Sequence, residues 1–507
     1  MKKSVLAIMV GALCIILSSC QETPEESSVV SKVDGISEAA VCEPLKKGEK
    51  RETNVPTHWK FEEKKSNDRV VIQADIKLGE QSIGNLPVIE MQNHELTQEE
   101  LNGLIDYFTD GEELYMPQMV TKDAYQEVLD RISSKEGSYL QSAYSTSIAG
   151  IQNATREGME LAPDEASAPE KNGDKISKKK QEDHGVEAAR SWMSTELENT
   201  DTEDYFTADV GEDRKAYIEA ERYNQEIDND SSFLWMEGSN FIEEETIETE
   251  EMQSEYYSSF GMDTNGYTEK FHELADAYRK CMDKITFTEE DGKEQAEQVL
   301  EDLGIDGMGL VDSDRTVWFP NGACSERNGL GLGSDALWQG DLDRGLPGYL
   351  YCFSKSVEGI TSVPDGVVAE ETVDSYVPPF QVETISILIT EEGIKYFKWD
   401  GISEEVCTVT ENTKLLPFEK IQAKLTDQIF YWYSGKGQSA NDTTALEYDV
   451  VNAKLQYTYT TAYQEPKHAW LVPAWIFTVR ESIGGNSLQE LSYVINAYDG
   501  SVIGEAY

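Results

Sequence analysis

His468-Ala469-Trp470-Leu471-Val472-Pro473-Ala474-Trp475-Ile476-Phe477 is followed, sixteen residues on, by Val494-Ile495-Asn496-Ala497-Tyr498-Asp499-Gly500-Ser501-Val502-Ile503. Both stretches are rich in aromatic and β-branched residues, which suit a pleated, half-buried surface. Side chains two apart share a strand face, so Trp475 and Phe477 lie together, as do Val494, Asn496 and Tyr498. Asp499-Gly500 is a tight-turn signal, because glycine tolerates positive φ. The pattern predicts an antiparallel sheet packed around a buried Trp475, with Asn496 needing a hydrogen-bond partner if it too is buried.

Working outward, strands are expected over 453–463, 469–479 and 491–503, after a helix that opens at Pro417 with Phe418, Ile421 and Leu425 inward. An earlier block repeats the order. Thr288-Glu289-Glu290-Asp291 has capping-box spacing and starts a helix with Ala296, Val299, Leu300 and Leu303 as its apolar stripe and Gly304 at its end. A strand with Val317, Trp318 and Phe319, a segment 349–363 and a hairpin 385–399 turning near Glu392-Gly393 follow. Further upstream, 70–78 alternates as a strand, Thr97-Gln98-Glu99-Glu100 caps a helix with Leu101, Leu104, Ile105 and Phe108 inward, and another helix follows Thr121 with Tyr125, Val128, Leu129 and Ile132. Segments 205–210, 215–223 and 232–237 read as strands, whereas 243–251 is too acidic for its period to be read.

The chain of 507 residues predicts roughly three folded units at about 150 residues each. The expected divisions are a signal segment 1–19, a tether 20–55, an α+β region 56–160, a linker 161–185, a middle region of strands 186–284, and α+β units 285–410 and 411–507. The fold class is α+β, with antiparallel sheets and helices on one face. Lys plus Arg number 43 against 96 Asp plus Glu, a net charge of −53, which excludes nucleic acid as a partner because phosphate binding needs a positive face. Lys178-Lys179-Lys180 sits among acids and reads as solvated.

Lys2 and Lys3 precede an apolar run from Val5 to Leu17, shorter than the roughly 20 residues of a membrane span. Leu17-Ser18-Ser19-Cys20 resembles the lipobox of bacterial lipoproteins. That resemblance implies cleavage before Cys20, lipidation of its thiol and a body anchored on the outer face of the cell membrane. Of seven cysteines, Cys14 lies in the signal segment and Cys20 at the anchor, and the remaining Cys42, Cys281, Cys324, Cys352 and Cys407 form no CxxC and no disulfide framework; buried free thiols are expected, with a Cys324–Cys352 bridge left open.

The terminal pair of strands resembles the ending of PepSY-type domains and of the extracytoplasmic regulators of the cell-wall sensor kinase of Gram-positive bacteria, and the Thr288 helix is similar to a PepSY opening. Across most of 56–503 the chain also resembles uncharacterised lipoproteins of anaerobic gut Firmicutes. The resemblance implies PepSY-like units in the C-terminal half that inhibit or sense partners outside the cell without catalysing a reaction. Those kinase regulators keep an uncleaved membrane helix, whereas the apolar segment here reads as removed, which argues against direct control of a kinase within the membrane.

Motifs for chemistry are incomplete. His272-Glu273-Leu274-Ala275-Asp276 has zincin-like i, i+4 spacing but Asp for the second His, and the other histidines, His58, His94, His184 and His468, are isolated. Gly329-Leu330-Gly331-Leu332-Gly333-Ser334 lacks the Lys-Ser/Thr of a phosphate loop, and Asp312-Ser313-Asp314 and Asp341-Leu342-Asp343-Arg344-Gly345 begin like calcium loops without the closing Glu. Trp318 and Trp338 suit core packing better than sugar stacking. No catalytic residue, metal site or cofactor is assigned. The chain therefore reads as a non-catalytic lipoprotein that binds or regulates an envelope protein or cell-wall component. The alternatives are an extracytoplasmic hydrolase of wall or peptides and a solute-binding lipoprotein, the latter disfavoured by antiparallel meanders where two doubly wound lobes are needed.

Overall fold

The computed structural model describes residues 35–65, 69–78, 82–116, 121–133, 148–165, 168, 170–171, 205–212, 215–221, 231–238, 240–259, 267–320, 344–364, 367–368, 380–435, 446–462, 465–483 and 486–505. Cys20, His184, Cys324, Trp338, Asp341, Asp343, Lys178–Lys180 and the 329–334 glycine loop lie outside them, and so does the Cys324–Cys352 pairing.

Helices form where an apolar stripe meets a start signal. They are α1 (Gln98–Thr109), α2 (Lys122–Ser133), α3 (Ile148–Leu161), α4 (Glu244–Ser259), α5 (Tyr267–Met282), α6 (Glu289–Asp302) and α7 (Phe418–Gly435). Both expected capping boxes are present: Thr97 with Glu100 opens α1 and Thr288 with Asp291 opens α6. Each hydroxyl accepts from the third helical amide, and each carboxylate accepts from the cap amide. Gly304, at φ 68°, lets the chain leave α6, and Ile305 N donates back to Leu300 O.

The chain divides into two compact units, one of residues up to Glu90 with Cys407–Pro466 and from Trp470 on, the other Met91–Val406 with Lys467–Ala469. This departs from the serial division read in the sequence. Val70–Lys77 and His58–Lys65, expected in a separate region 56–160, instead join the C-terminal sheet, where Leu446–Val450 runs parallel to Val70–Ala74 and buries Ile72 with Tyr448. The middle strands join the sheet of 285–410 through Phe397↔Trp235 and Trp399↔Phe233. Residues from Gly35 on, read as part of a flexible tether, pack into the first unit. The apolar faces of these segments are complete only when joined, and sequence proximity did not reveal their partners.

The eight-stranded sheet, most of whose residues belong to the first unit, follows the order Ser403–Thr410, Val88–Asn93, Glu465–Ile483, Leu446–Ala462, Val70–Lys77, His58–Lys65, with Asn486–Asn496 paired to Glu465–Ile483 and Val502–Glu505 to Asn486–Asn496. Trp475 faces Ile495 and Phe477 faces Tyr493 across the pair, and α7 lays Phe418, Ile421, Leu425 and Ile429 on that face. Trp475 is 1% exposed and meets the Phe418 ring edge-on at 5.0 Å. Asn496 points the other way and is buried, with its Oδ1 accepting from Tyr498 N at 3.0 Å. The expected last strand breaks at Asp499-Gly500, where Gly500 has φ 77° and Asp499 Oδ1 accepts from Ser501 N and Oγ.

The second unit holds a ten-stranded sheet in the order Asn240–Glu243, Met308–Phe319, Leu346–Val357, Thr384–Thr390, Gly393–Asp400, Ser232–Glu237, Ala216–Glu221, Tyr205–Val210, Leu114–Tyr115, with Ile360–Thr361 beside Leu346–Val357. Residues directly opposite in an antiparallel pair share a face. Val317 and Phe319, against α4 and α5, therefore lie on the same side as Tyr351, Phe353, Ile387, Phe397 and Trp235, against α1 and α6. The fold class is thus α+β, predominantly antiparallel, with helices packed on one face. In both units a helix precedes a four-strand meander: α6 before Met308–Phe319, Leu346–Val357, Thr384–Thr390 and Gly393–Asp400, and α7 before the four strands from Leu446 to Glu505.

Candidate functional site

Several of the polar groups that the sequence singled out hold elements together. His272 Nδ1 lies 2.9 Å from Glu251 Oε1, and Arg279 pairs with the same carboxylate, so His272 and Arg279 clamp α5 to α4. The Arg279 guanidinium holds the Glu251 carboxyl below the usual range. Glu273 and Asp276 are exposed, and among the described residues Asp276 lies 3.8 Å from Arg279. Asp312-Ser313-Asp314 is extended chain within Met308–Phe319 and not a loop. Burial pushes the Asp314 carboxyl up, while Glu245 N donates to it at 3.2 Å. Among the described residues no group of three His, Cys, Asp or Glu side chains could hold a metal ion. His94 bridges Glu100 at 2.9 Å and Glu404 at 3.3 Å, and His58 meets Asp75 at 2.6 Å.

Trp318 is buried, donating from Nε1 to Glu237 O, with the Lys395 ammonium 4.7 Å above its ring. Three carboxylates that the sequence did not single out, Asp209, Glu383 and Glu481, are buried among the described residues, and the partners of the last two define closed clusters. Glu383, 1% exposed, takes Lys355 Nζ at 2.8 Å, Trp399 Nε1 at 3.0 Å and Ser403 Oγ at 2.6 Å. Glu481 accepts from Tyr448 Oη at 3.1 Å and Gln489 Nε2 at 2.5 Å. Glu383 directly precedes the apolar strand Thr384–Thr390 and Glu481 lies near the end of Glu465–Ile483, positions that do not reveal the donors that satisfy them. Both clusters are closed: the charge is neutralised or hydrogen-bonded within the core.

An open groove lies in the first unit, on the segment read as tether. Ser37 caps a short turn at Glu38–Ala40 by accepting from Ala39 N, and Ala40 is buried beside Val88, Val472 and Tyr498. The chain then pairs antiparallel with 412–414: Val41 opposes Thr413, Cys42 N donates to Asn412 O at 3.2 Å, and Lys414 N donates to Ala40 O at 2.8 Å. Buried Asn412 staples three segments, its Oδ1 accepting from Leu86 N at 2.9 Å and its Nδ2 donating to Glu43 O at 3.1 Å. Thr413 Oγ1 donates to Leu86 O, and Asn85 Oδ1 accepts from Leu45 N at 2.7 Å. The result is a groove of about 650 Å³, with Ile36, Val41 and Pro44 among its apolar lining and Glu38, Glu43 and Glu411 as its carboxylates. Val41 is 42% exposed. The sequence signal was Ser37 as a cap before Ala39-Ala40-Val41, masked by the surrounding charges.

No family model and no curated protein matches the chain. Among solved structures it is similar to an uncharacterised protein from Eubacterium rectale, at 13% identity and a TM-score of 0.39, covering 89% of this chain and 94% of that one. It is also similar to the YpeB C-terminal domain from Bacillus megaterium, at 11% identity and a TM-score of 0.20, covering 63% and 95%. At these scores neither match establishes a common fold.

Proposed function

We propose that this chain is a non-catalytic, lipid-anchored protein of the outer face of the cell membrane that binds or regulates an envelope partner, a protein or a wall component. The observation that carries the reading is the contrast between closed and open polar groups. Glu383 and Glu481 are saturated by donors inside the sheets, whereas the carboxylates of the groove face solvent beside an apolar floor. Buried, satisfied carboxylates hold a core together, and exposed carboxylates next to apolar surface suit recognition of another molecule. The lipobox-like Leu17-Ser18-Ser19-Cys20 supports the membrane address, with Cys20 as the lipidated residue. The helix-then-meander order within 285–410 and within 411–507 supports reading those two segments as PepSY-like.

Two experiments test this together. Membranes carrying the full chain are cross-linked and the adducts identified by mass spectrometry, while the purified chain is assayed on peptidoglycan, peptides and glycans. The expected result is a recurring adduct with one envelope component and no turnover. A robust hydrolysis that a single residue change abolishes would overturn the reading in favour of a hydrolase.

A further inference from the structure

Resting on that reading, we propose that the groove receives an extended, cationic segment of a protein partner, in which lysine or arginine alternates with apolar side chains. Three observations point to that chemistry. First, Glu38, Glu43 and Glu411 line the groove and all three are exposed; among the described residues none of them forms an ion pair, and no cation is among the lining residues. Arg51 approaches the floor through Cys42, whose Sγ accepts from its Nη1 at 3.6 Å, and pairs with none of the three. Second, the carboxylates alternate with apolar surface, since Ile36, Val41 and Pro44 lie between and beside them. A strand with period-two alternation presents charge and apolar groups in that manner. Third, the floor is fixed before any ligand arrives, by the Val41–Thr413 pairing and the hydrogen bonds of Asn412, so little ordering is needed on binding.

The size of the groove selects against a lone cation. About 650 Å³ holds several side chains, and its carboxylates come from two separate stretches of chain that do not converge on one point fit for a metal. Anionic partners are repelled by the rim and by the net charge of −53. That same net charge attracts any cationic peptide from a distance, so the test must separate binding in the groove from general attraction.

The probe is a fluorescein-labelled peptide alternating lysine with valine, titrated into the full chain in a neutral detergent at physiological salt and followed by anisotropy. Two variants carry the same change in charge: Glu38→Gln, Glu43→Gln and Glu411→Gln together in the groove, and Glu294→Gln, Glu297→Gln and Glu301→Gln together on the exposed side of α6. The groove variant is expected to bind about tenfold more weakly, the α6 variant within about twofold of the original, and the peptide with glutamate for lysine not at all. Val41→Ser, which removes the apolar contact and leaves the charges, is expected to weaken binding as well. Equal losses in the two triple variants would show attraction by net charge alone and overturn the proposal, as would failure of the unaltered chain to bind. Circular dichroism of each variant checks that the fold is kept. If membrane cross-linking still yields its adduct when the groove variant is used, the partner reading stands and the groove assignment falls. If no adduct forms with either form, the partner reading itself falls.

Discussion

Gly292→Ala sets backbone propensity against packing, and the two predict opposite signs. Glycine inside a helix is about 1 kcal/mol worse than alanine, so propensity alone makes the substitution stabilising. Gly292, however, is on the buried side of α6, and an added Cβ would overlap Tyr351 Oη and stand 2.9 Å from the Phe287 ring and 3.1 Å from Tyr351 Cζ. Tyr351 is fully buried in the sheet, and its hydroxyl donates to Glu289 O at 2.7 Å, so it has little room to retreat. Overpacking of this kind costs about 1–3 kcal/mol, and displacing the hydroxyl from its acceptor adds about 1 kcal/mol. Setting these against the gain in propensity, the expected net effect is a loss of about 1–3 kcal/mol. Hydrogen exchange read on α6 peptides, with melting of the full chain beside it, reports it locally. Exchange in α6 should quicken and the melt should fall, and in the Tyr351→Phe background the added cost of Gly292→Ala should shrink, because the closest atom is gone. Slower exchange or a higher melting temperature for Gly292→Ala would refute the close approach of α6 to the sheet.

Trp475→Ala should cost about 3–5 kcal/mol through lost burial and a cavity beside Phe418 and Phe477, and a melt like the original would mean that the terminal strands are not packed. Asn496→Leu should destabilise by about 1–3 kcal/mol, because Tyr498 N loses its acceptor in a buried turn; a neutral melt would place that side chain at the surface. Glu383→Ala should cost about 3–5 kcal/mol, since it strands Lys355, Trp399 and Ser403 around an empty centre, and urea unfolding measures it. Glu251 has its folded-state carboxyl held down by Arg279, so its contribution is complete above the unfolded carboxyl range and is lost as pH falls through the folded value. The gap in urea midpoint between the original chain and Glu251→Gln should therefore be wide at neutral pH and narrow in acid; an unchanged gap would deny the pairing.

Local signals were legible in the sequence, and their long-range partners were not. Thr97 and Thr288 announce their helices because a capping box needs only four consecutive residues. Trp475 and Phe477 announce a buried strand face because alternation is local. Helix α4 was missed: its stripe is thin, with Ile247 buried but Met252 exposed, and it is held by pairs from Glu244 to Arg315 and from Glu251 to Arg279 that depend on neighbours distant in sequence. The parallel pairing of Val70–Ala74 with Leu446–Val450 joins segments more than 370 residues apart, a separation that no periodicity reveals. The groove was hidden for the same reason, since Val41 acquires its role only when Thr413 and Asn412 come alongside.

A photo-reactive phenylalanine analogue in place of Val41 addresses the central claim directly, with the same replacement at Tyr431, which is 60% exposed on α7, as the comparison. Each full-length variant is irradiated in intact cells and its adducts are separated by mass. The groove account predicts an adduct with one envelope protein from position 41 and none from position 431. No adduct from position 41, or the same adduct from both, would contradict it.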